Sequence, residues 1–327
     1  MMKAWMMRVA ATAALVVGWG GAWAGILPGP VVDSAWLAAN LDKVQVVDVR
    51  SSSAIFTRQP EFDSDPKSGK IVLSEPGGHI AGARLIDMKT MRTERQMGAL
   101  KVKYMIPERA TFELAVRAAG IDAGKPIVLV PVGVEVPDMD DALRVYWQFK
   151  VYGEDQLAVL DGGLAGWLNE GRPVSTAPDV PRQGSWKAGP ERAARYFAGI
   201  DDVAAAHGAG LIDARDIKSY LGLVKRDYVY GYGHLEGARL YAPELMFASS
   251  GGALRFMSAN TYAALFKAQG IDPAAPAISY CNSGHLSSGP WFVLSELLGN
   301  TKARLYDGSL HEWTMAQRPL AGAVPLR

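Results

Sequence analysis

The fold of this chain is decided by the stretch Ala277-Ile278-Ser279-Tyr280-Cys281-Asn282-Ser283-Gly284-His285-Leu286-Ser287-Ser288-Gly289-Pro290-Trp291. The mostly apolar residues before Cys281 predict a buried strand that ends at the cysteine. The polar residues after it, with Gly284 among them, predict a tight loop. Ser287 or Ser288 can cap a helix that has Pro290 in its first turn, where proline is tolerated. A strand, a loop and a helix in this order are typical of a parallel α/β sheet, whose ligands bind where strands end.

The chain contains two copies of one domain-sized unit. Four motifs recur in the same order: residues 46–50 resemble 211–215, residues 78–84 resemble 233–239, residues 120–122 resemble 270–272, and residues 160–167 resemble 306–313. Short apolar runs alternate with helical patterns in each copy, which predicts a central, mostly parallel sheet with helices on both faces. In the second copy we predict strands at 210–214 and 277–280 and a helix at 258–270. The sequence therefore predicts an α/β protein of two tandem domains.

The N-terminus has the pattern of a secretory signal peptide. Lys3 and Arg8 are followed by an apolar run at 9–19 that is too short to span a bilayer comfortably. Ala22-Trp23-Ala24 then matches a small-x-small cleavage site. We expect residues 1–24 to be removed and the protein to be exported to the periplasm. An uncleaved membrane anchor is the alternative.

The rest of the chain is expected to divide at a linker. Residues 176–197 are rich in Pro, Ala and Gly, as linkers often are. We therefore expect one domain at 25–175 and a second at 198–327. The net charge of the whole chain is +1, so there is no overall field to attract nucleic acid or an anionic membrane. We expect neither as a partner once the signal peptide has been removed.

The chain has one cysteine, Cys281. It cannot form an internal disulfide, and an unpaired thiol in an exported protein is either incidental or reactive. Backbone N–H groups of a loop can form an anion nest, and a helix N-terminus adds partial positive charge. Such a nest would stabilise a thiolate and then a persulfide without a metal or cofactor. The expected nest comprises Asn282, Ser283, Gly284, His285, Leu286 and Ser287. A small buried cysteine without chemistry is the alternative.

The recurring motifs resemble the rhodanese family. Asp-x-Arg, Gly-His-x-x-Gly-Ala, an apolar strand with Cys281 and its loop, and Asp-Gly followed by Trp are similar to that family in order and spacing. The resemblance covers nearly all of the chain after residue 24. It implies two rhodanese-like domains, of which the C-terminal one is catalytic and the N-terminal one is not. The resemblance also implies that Cys281 carries sulfur as a persulfide.

The first copy lacks the cysteine. Alignment of the two copies places Pro131 at the position of Cys281, and the segment that follows is longer. This segment contains four carboxylates, Glu135, Asp138, Asp140 and Asp141. We interpret it as a solvated acidic loop. A cation site is the alternative, although no Cys/His cluster of the chain has metal-ligand spacing.

Three residues outside the loop are expected to support the site. Asp213 and Arg215 end a strand and are expected to form a structural charge pair near Cys281, as Asp48 and Arg50 would in the first copy. Lys218 is a candidate source of positive charge. His79 and His234 also recur and are interpreted as hydrogen-bonded turn residues. For His285 two readings stay open: binding of an anionic donor when protonated, or no role.

The resemblance implies a sulfurtransferase that moves sulfur from thiosulfate to cyanide or a thiol. Thiosulfate is the first donor because it is small, anionic and plausible outside the cytoplasm, and 3-mercaptopyruvate is the second. The chain departs from thiosulfate-specific members at Asn282 and Ser283, where those often carry a basic residue, and at Ser219, where some carry Arg. A persulfide carrier that serves a protein partner is a further alternative. A cysteine phosphatase needs Cys-x5-Arg, and Ser287 occupies the position of that arginine.

Overall fold

The computed structural model describes residues 25–64, 66–67, 69–180, 182–322 and 324. The predicted signal peptide, at residues 1–24, lies outside these residues. Within them, no helix is both long enough and apolar enough to cross a membrane.

The N-terminal half forms a five-stranded parallel sheet with the strand order β1-β9-β8-β2-β5. Two antiparallel hairpins, β3–β4 and β6–β7, stand apart from it. The strands are β1 (Val31–Val32), β2 (Gln45–Arg50), β3 (Glu61–Ser64), β4 (Ile71–Glu75), β5 (Arg84–Asp87), β6 (Thr93–Met97), β7 (Leu100–Met105), β8 (Ile127–Val130) and β9 (Leu157–Leu160). The helices are α1 (Ser34–Ala39), α2 (Arg109–Ala118), α3 (Val136–Val151) and α4 (Gly163–Asn169), with 3₁₀ turns at Ser53–Phe56 and Met88–Met91.

The C-terminal half repeats this sheet in the equivalent order, β10-β16-β15-β11-β12, and it is again parallel. Its strands are β10 (Phe197–Ala198), β11 (Leu211–Asp213), β12 (Arg239–Leu240), β13 (Ala248–Ser250), β14 (Ala253–Arg255), β15 (Ala277–Tyr280) and β16 (Ala303–Tyr306). Its helices are α5 (Ala193–Tyr196), α6 (Ile200–Ala205), α7 (Ile217–Tyr220), α8 (Ala259–Ala268), α9 (Ser288–Phe292) and α10 (Ser309–Met315), with a 3₁₀ turn at Pro243–Leu245. The predicted fold class, two tandem parallel α/β domains, is confirmed.

The predicted elements of the second copy are present, with one change at the helix after the loop. Ser258 caps α8 by accepting a hydrogen bond from the N–H of Thr261. Ser287 is the N-cap of α9, but its side chain makes no capping hydrogen bond. The helix then widens into a π-helix at Val293–Leu297 and does not continue as a regular α-helix to Gly299.

Each domain uses its Asp-Gly motif to bind the hairpin region of the other domain. Asp161, at the end of β9, accepts a hydrogen bond from the N–H of Phe256, just after β14, over 2.8 Å. Asp307, at the end of β16, accepts one from the N–H of Ile106, just after β7, over 2.7 Å. The hydrogen bond between Asp307 and Ile106 holds the N-terminal hairpin β6–β7 beside the loop that carries Cys281.

A shared apolar core joins the two domains. The residues of one continuous cluster come from both sheets and from α3 and α9. At its centre the ring of Tyr146 meets that of Phe292 edge to face, with 5.0 Å between ring centroids. The hydroxyl of Tyr146 donates to Glu296 over 3.1 Å. Trp186, within the predicted linker, is also buried in this cluster. The boundaries at 175 and 198 stay predictions.

The two Asp-x-Arg motifs are buried ion pairs, as predicted. Asp48 pairs with Arg50, and Asp213 pairs with Arg215 over 2.6 Å. Each arginine also donates to the carbonyl of the glycine in the Gly-His motif of its own domain. Nδ1 of His79 and Nδ1 of His234 are each hydrogen-bonded to a backbone carbonyl. The ring of His79 stacks on Phe56 and that of His234 on Tyr220, so both are hydrogen-bonded residues as predicted.

The substitution Arg50→Met is expected to lower the free energy of unfolding by about 3–5 kcal/mol, because it leaves the Asp48 carboxylate buried and unpaired. Urea denaturation measures this loss. The control is Arg58→Met, which removes an exposed pair with Glu75 and is expected to cost less than about 1 kcal/mol. Equal losses in the two variants would contradict a structural role for the buried pair.

Candidate active site

Cys281 follows the last residue of β15 and is 2% exposed. Its sulfur lies 3.5 Å from the backbone nitrogen of Ser283, whose N–H points at it. The N–H groups of Cys281 and Gly284 both donate to Oγ of Ser309, each over 3.0 Å. Ser309 begins α10 and lies in the Asp-Gly segment that recurs in both domains. Ser309 therefore fixes the backbone at the first residue of the loop, Cys281, and at its turn, Gly284.

Part of the predicted nest is present. The N–H of Ser283 serves the sulfur, whereas that of Gly284 is turned away to Ser309. Within the described part of the chain, the next three N–H groups have no protein acceptor; they belong to His285, Leu286 and Ser287. These donors are available to an anion bound in front of the loop.

Arg144, on α3 of the other domain, orients the loop. Its Nη1 donates to the carbonyl of Gly284 over 2.9 Å, and its Nη2 forms an ion pair with Asp307 at 2.5 Å. In a trans peptide the C=O and the following N–H point in opposite directions. Because Arg144 holds this carbonyl, the N–H of His285 is directed to the opposite side of the peptide.

Arg92, from the segment before β6, contacts the loop as well. Its Nη2 donates to both the carbonyl and the hydroxyl oxygen of Ser283, each over 2.8 Å. Its guanidinium lies 4.8 Å from the ring centroid of Tyr104. No carboxylate of the described residues is within ion-pair distance. Burial and the nearby Arg144 lower the pKa of Arg92, whereas negative charge at Cys281 opposes this. An anion beside Cys281 would supply the missing countercharge.

A cavity of about 400 Å³ lies at this junction of the two domains. Nε2 of His285 is 2.9 Å from Oδ1 of Asp141, which ties the loop to α3. The other oxygen of Asp141 accepts a hydrogen bond from Ser51 over 2.8 Å. All residues that line the cavity except His285 come from the N-terminal domain: Ser51, Met88, Lys89, Arg92, Tyr104 and Asp141.

The interpretation of the acidic segment as a solvated loop is wrong for its second half. Glu135 is the N-cap of α3, and Asp138 accepts a hydrogen bond from its N–H over 3.0 Å. The helix then carries Asp140 and Asp141 into the interface, where they are 1% and 3% exposed. The segment looked like a loop because four carboxylates in seven residues rarely belong to a buried surface.

The predicted supporting residues divide into two groups. Arg215 is buried next to the site: burial opposes its charge, but Asp213 and, less strongly, Cys281 raise its pKa. Lys218 is exposed on α7. No hydrogen bond or ion pair joins it to the loop among the residues that the structure describes. Among the described residues, the cations that contact the loop are Arg92 and Arg144.

Sequence reasoning did not identify four residues that contact the loop: Arg92, Arg144, Ser309 and Tyr228, whose hydroxyl is 3.5 Å from that of Ser283. Ser309 could have been noticed, since it belongs to the recurring Asp-Gly motif. Nothing in the sequence indicated the two arginines, because their partners lie about 140 and 190 residues away along the chain.

Comparison with known proteins identifies the family. The model of the rhodanese-like domain matches residues 33–170 and 198–316. A Mycobacterium bovis protein is 30% identical over 293 residues, which cover 86% of this chain and 94% of that protein. The Bos taurus thiosulfate sulfurtransferase is 29% identical over 247 residues, covering 72% of this chain and 77% of the relative.

A solved structure shows the same fold. SseA from Escherichia coli, described as a 3-mercaptopyruvate sulfotransferase, superposes with a TM-score of 0.65 at 23% identity, over 86% of this chain and 98% of SseA. The resemblance read from the repeated motifs is thereby confirmed. The chain belongs to the rhodanese family of sulfurtransferases and carries two copies of its domain.

Proposed function

We propose that this protein transfers the outer sulfur of thiosulfate to a thiophilic acceptor through a persulfide on Cys281. The observation that carries the proposal is the placement of the chain's single cysteine at the end of β15, with the N–H of Ser283 pointing at its sulfur and the charge of Arg92 close enough to act on it. This arrangement can stabilise negative charge on sulfur without a metal.

In the first half-reaction, the thiolate of Cys281 attacks the outer sulfur of thiosulfate. A bond forms between the two sulfurs, the bond to the sulfonate sulfur breaks, and sulfite leaves with its electron pair. The persulfide anion that remains is held by the N–H groups of the loop. The candidates are the N–H of Ser283, which points at the sulfur, and that of His285, which Arg144 orients through the preceding carbonyl.

In the second half-reaction, cyanide or a thiolate attacks the outer sulfur of the persulfide. The sulfur–sulfur bond breaks and the thiolate of Cys281 is restored. In both half-reactions negative charge lies on sulfur in a site with little access to water. Such a site strengthens the effect of each fixed donor.

Thiosulfate is the preferred donor because Arg92 replaces the missing basic residue of the loop. Asn282 and Ser283 carry no charge, but Arg92 reaches Ser283 from the other domain and lines the cavity. The name of the Bos taurus relative supports the same donor. 3-Mercaptopyruvate is the second candidate, since its carboxylate could also pair with Arg92 or with Lys89 beside it.

The proposal is tested by the intact mass of the mature protein before and after thiosulfate. We expect a gain of one sulfur atom that cyanide removes. A gain from mercaptopyruvate alone would move the assignment to the second donor. Persulfide that only a co-purifying protein removes would favour a carrier. No gain from any donor would contradict the proposal.

We also propose that the protein is exported after cleavage behind Ala24. The support is the sequence alone: a basic start, a short apolar run and the Ala22-Trp23-Ala24 site. N-terminal sequencing of protein from a periplasmic extract should begin at Gly25. A first residue upstream of the apolar run would contradict cleavage.

A further inference from the structure

Asp140 is a buried carboxyl group without a hydrogen-bond partner. It is 1% exposed, and neither carboxyl oxygen has a donor among the described residues. Its own carbonyl accepts a hydrogen bond from Ser288 over 3.3 Å, which places it at the start of α9. A Cβ atom added to Gly289 would lie 2.8 Å from Oδ1 of Asp140 and 2.8 Å from Cε of Met246. The carboxyl is therefore enclosed by backbone and an apolar side chain.

Among the residues that the structure describes, no cation forms an ion pair with this carboxyl. The charges that act on it are those of Cys281, from the loop, and Asp141, from its own helix. Asp141 is already engaged by His285 and Ser51. Arg144, one turn along α3, is engaged by Asp307 and the loop.

We propose that Asp140 is a protonated carboxylic acid in the active enzyme, so that the buried centre carries one negative charge, on sulfur, instead of two. The inference rests on the proposed function of Cys281. A carboxylate at Asp140 and an anion on sulfur would repel each other, and Arg92 lies by the sulfur, whereas a neutral acid at Asp140 removes this repulsion. Asp140 does not react itself. Its protonation state sets how strongly the site repels an incoming anionic donor.

The direction of the pH effect follows. Burial first, and then the charges of Cys281 and Asp141, raise the pKa of Asp140 well above its usual range. The acid is neutral below that raised pKa and becomes a carboxylate as the pH rises through it. An anionic reagent is then repelled, and its rate relative to that of a neutral reagent falls to a lower plateau. A neutral reagent of the same shape is spared.

The experiment compares alkylation of Cys281 by iodoacetate and by iodoacetamide as a function of pH. The ratio of the two rates cancels the thiolate fraction, so it reports only the charge that the reagent meets. We expect this ratio to fall at alkaline pH in the wild type and to stay flat in Asp140→Asn and in Asp140→Leu. The leucine variant replaces the unpaired carboxyl by an apolar group of similar size, which a site without partners tolerates. Asp42→Asn, which removes an exposed carboxylate of the same domain outside the site, is the control and should keep the fall.

The assay needs no sulfur transfer, so it separates this inference from the proposed function. A wild-type ratio that is flat and lower than that of Asp140→Asn would overturn the inference even if thiosulfate loads the enzyme, because it would show that Asp140 is a carboxylate throughout. A flat ratio equal to that of Asp140→Asn would support a neutral acid over the whole range. The same alkaline fall in both Asp140 variants would overturn it too. A fall that both variants abolish would support it even if the donor proved to be another compound.

Discussion

The Cys281→Ser variant is expected to gain no sulfur from thiosulfate and to lose on the order of a thousandfold or more in kcat/KM. A hydroxyl at this position is hardly ionised at neutral pH and cannot carry a persulfide. The loop itself should persist, because its backbone is held by Ser309, Arg92 and Arg144, none of which bonds to the sulfur. Intact mass after thiosulfate, followed by a cyanide assay, measures the loss.

Two controls accompany this variant. Its free energy of unfolding should stay within about 2 kcal/mol of the wild type, since the change removes little volume. Asn282→Ala changes the neighbouring loop residue and should still gain sulfur, because its expected contribution is through backbone. Sulfur transfer at the wild-type rate in Cys281→Ser would end the persulfide mechanism.

The Arg92→Met variant should lose about a hundredfold in kcat/KM for thiosulfate, equivalent to about 2.7 kcal/mol. It removes a half-buried cation from the cavity at the junction of the domains and also two hydrogen bonds to Ser283, one of them to the loop carbonyl. Both losses weaken the site where negative charge develops. Steady-state kinetics over a range of thiosulfate concentrations separates them, since lost anion binding raises KM and a displaced loop lowers kcat.

Lys218→Met is the matched control, since sequence reasoning named Lys218 as the supporting cation. Its side chain is exposed on α7, and we expect a change of less than about twofold. Arg92→Lys should fall between the two, because lysine keeps the charge but lacks the planar fork that serves two acceptors. A larger loss in Lys218→Met than in Arg92→Met would show that Lys218 is the cation that binds the donor.

Much of the fold could be predicted because its signals are local or repeated. Apolar runs that end at Asp213 and Cys281 predicted the parallel strands, and four motifs in the same order predicted the duplication. The Asp-x-Arg and Gly-His roles were predictable as well, since a feature that occurs in a copy without cysteine is structural. The π-helix at Val293–Leu297 was not predicted, because its residues have the ordinary apolar spacing of an α-helix.

The site could be predicted only as far as its own loop. Cys281 and its neighbours follow from one short stretch, whereas Arg92, Arg144 and Asp141 contact that stretch from a distant part of the chain. Docking of two domains decides such contacts, and no local pattern encodes it. The carboxylates of α3 show the consequence: judged by composition they belonged in water, and tertiary packing placed two of them in the interface.

Each domain binds the hairpin region of the other, and this has a consequence for the evolution of the chain. Each copy supplies the Asp-Gly carboxylate that fastens the other, and the copy without a nucleophile supplies the arginines that hold the nucleophile's loop. The two copies therefore depend on each other for these contacts. Deletion of either half, or its exchange for a homologous half, would remove contacts that the other half uses. The N-terminal domain, which lacks the cysteine, is therefore a required part of the site and not a redundant copy.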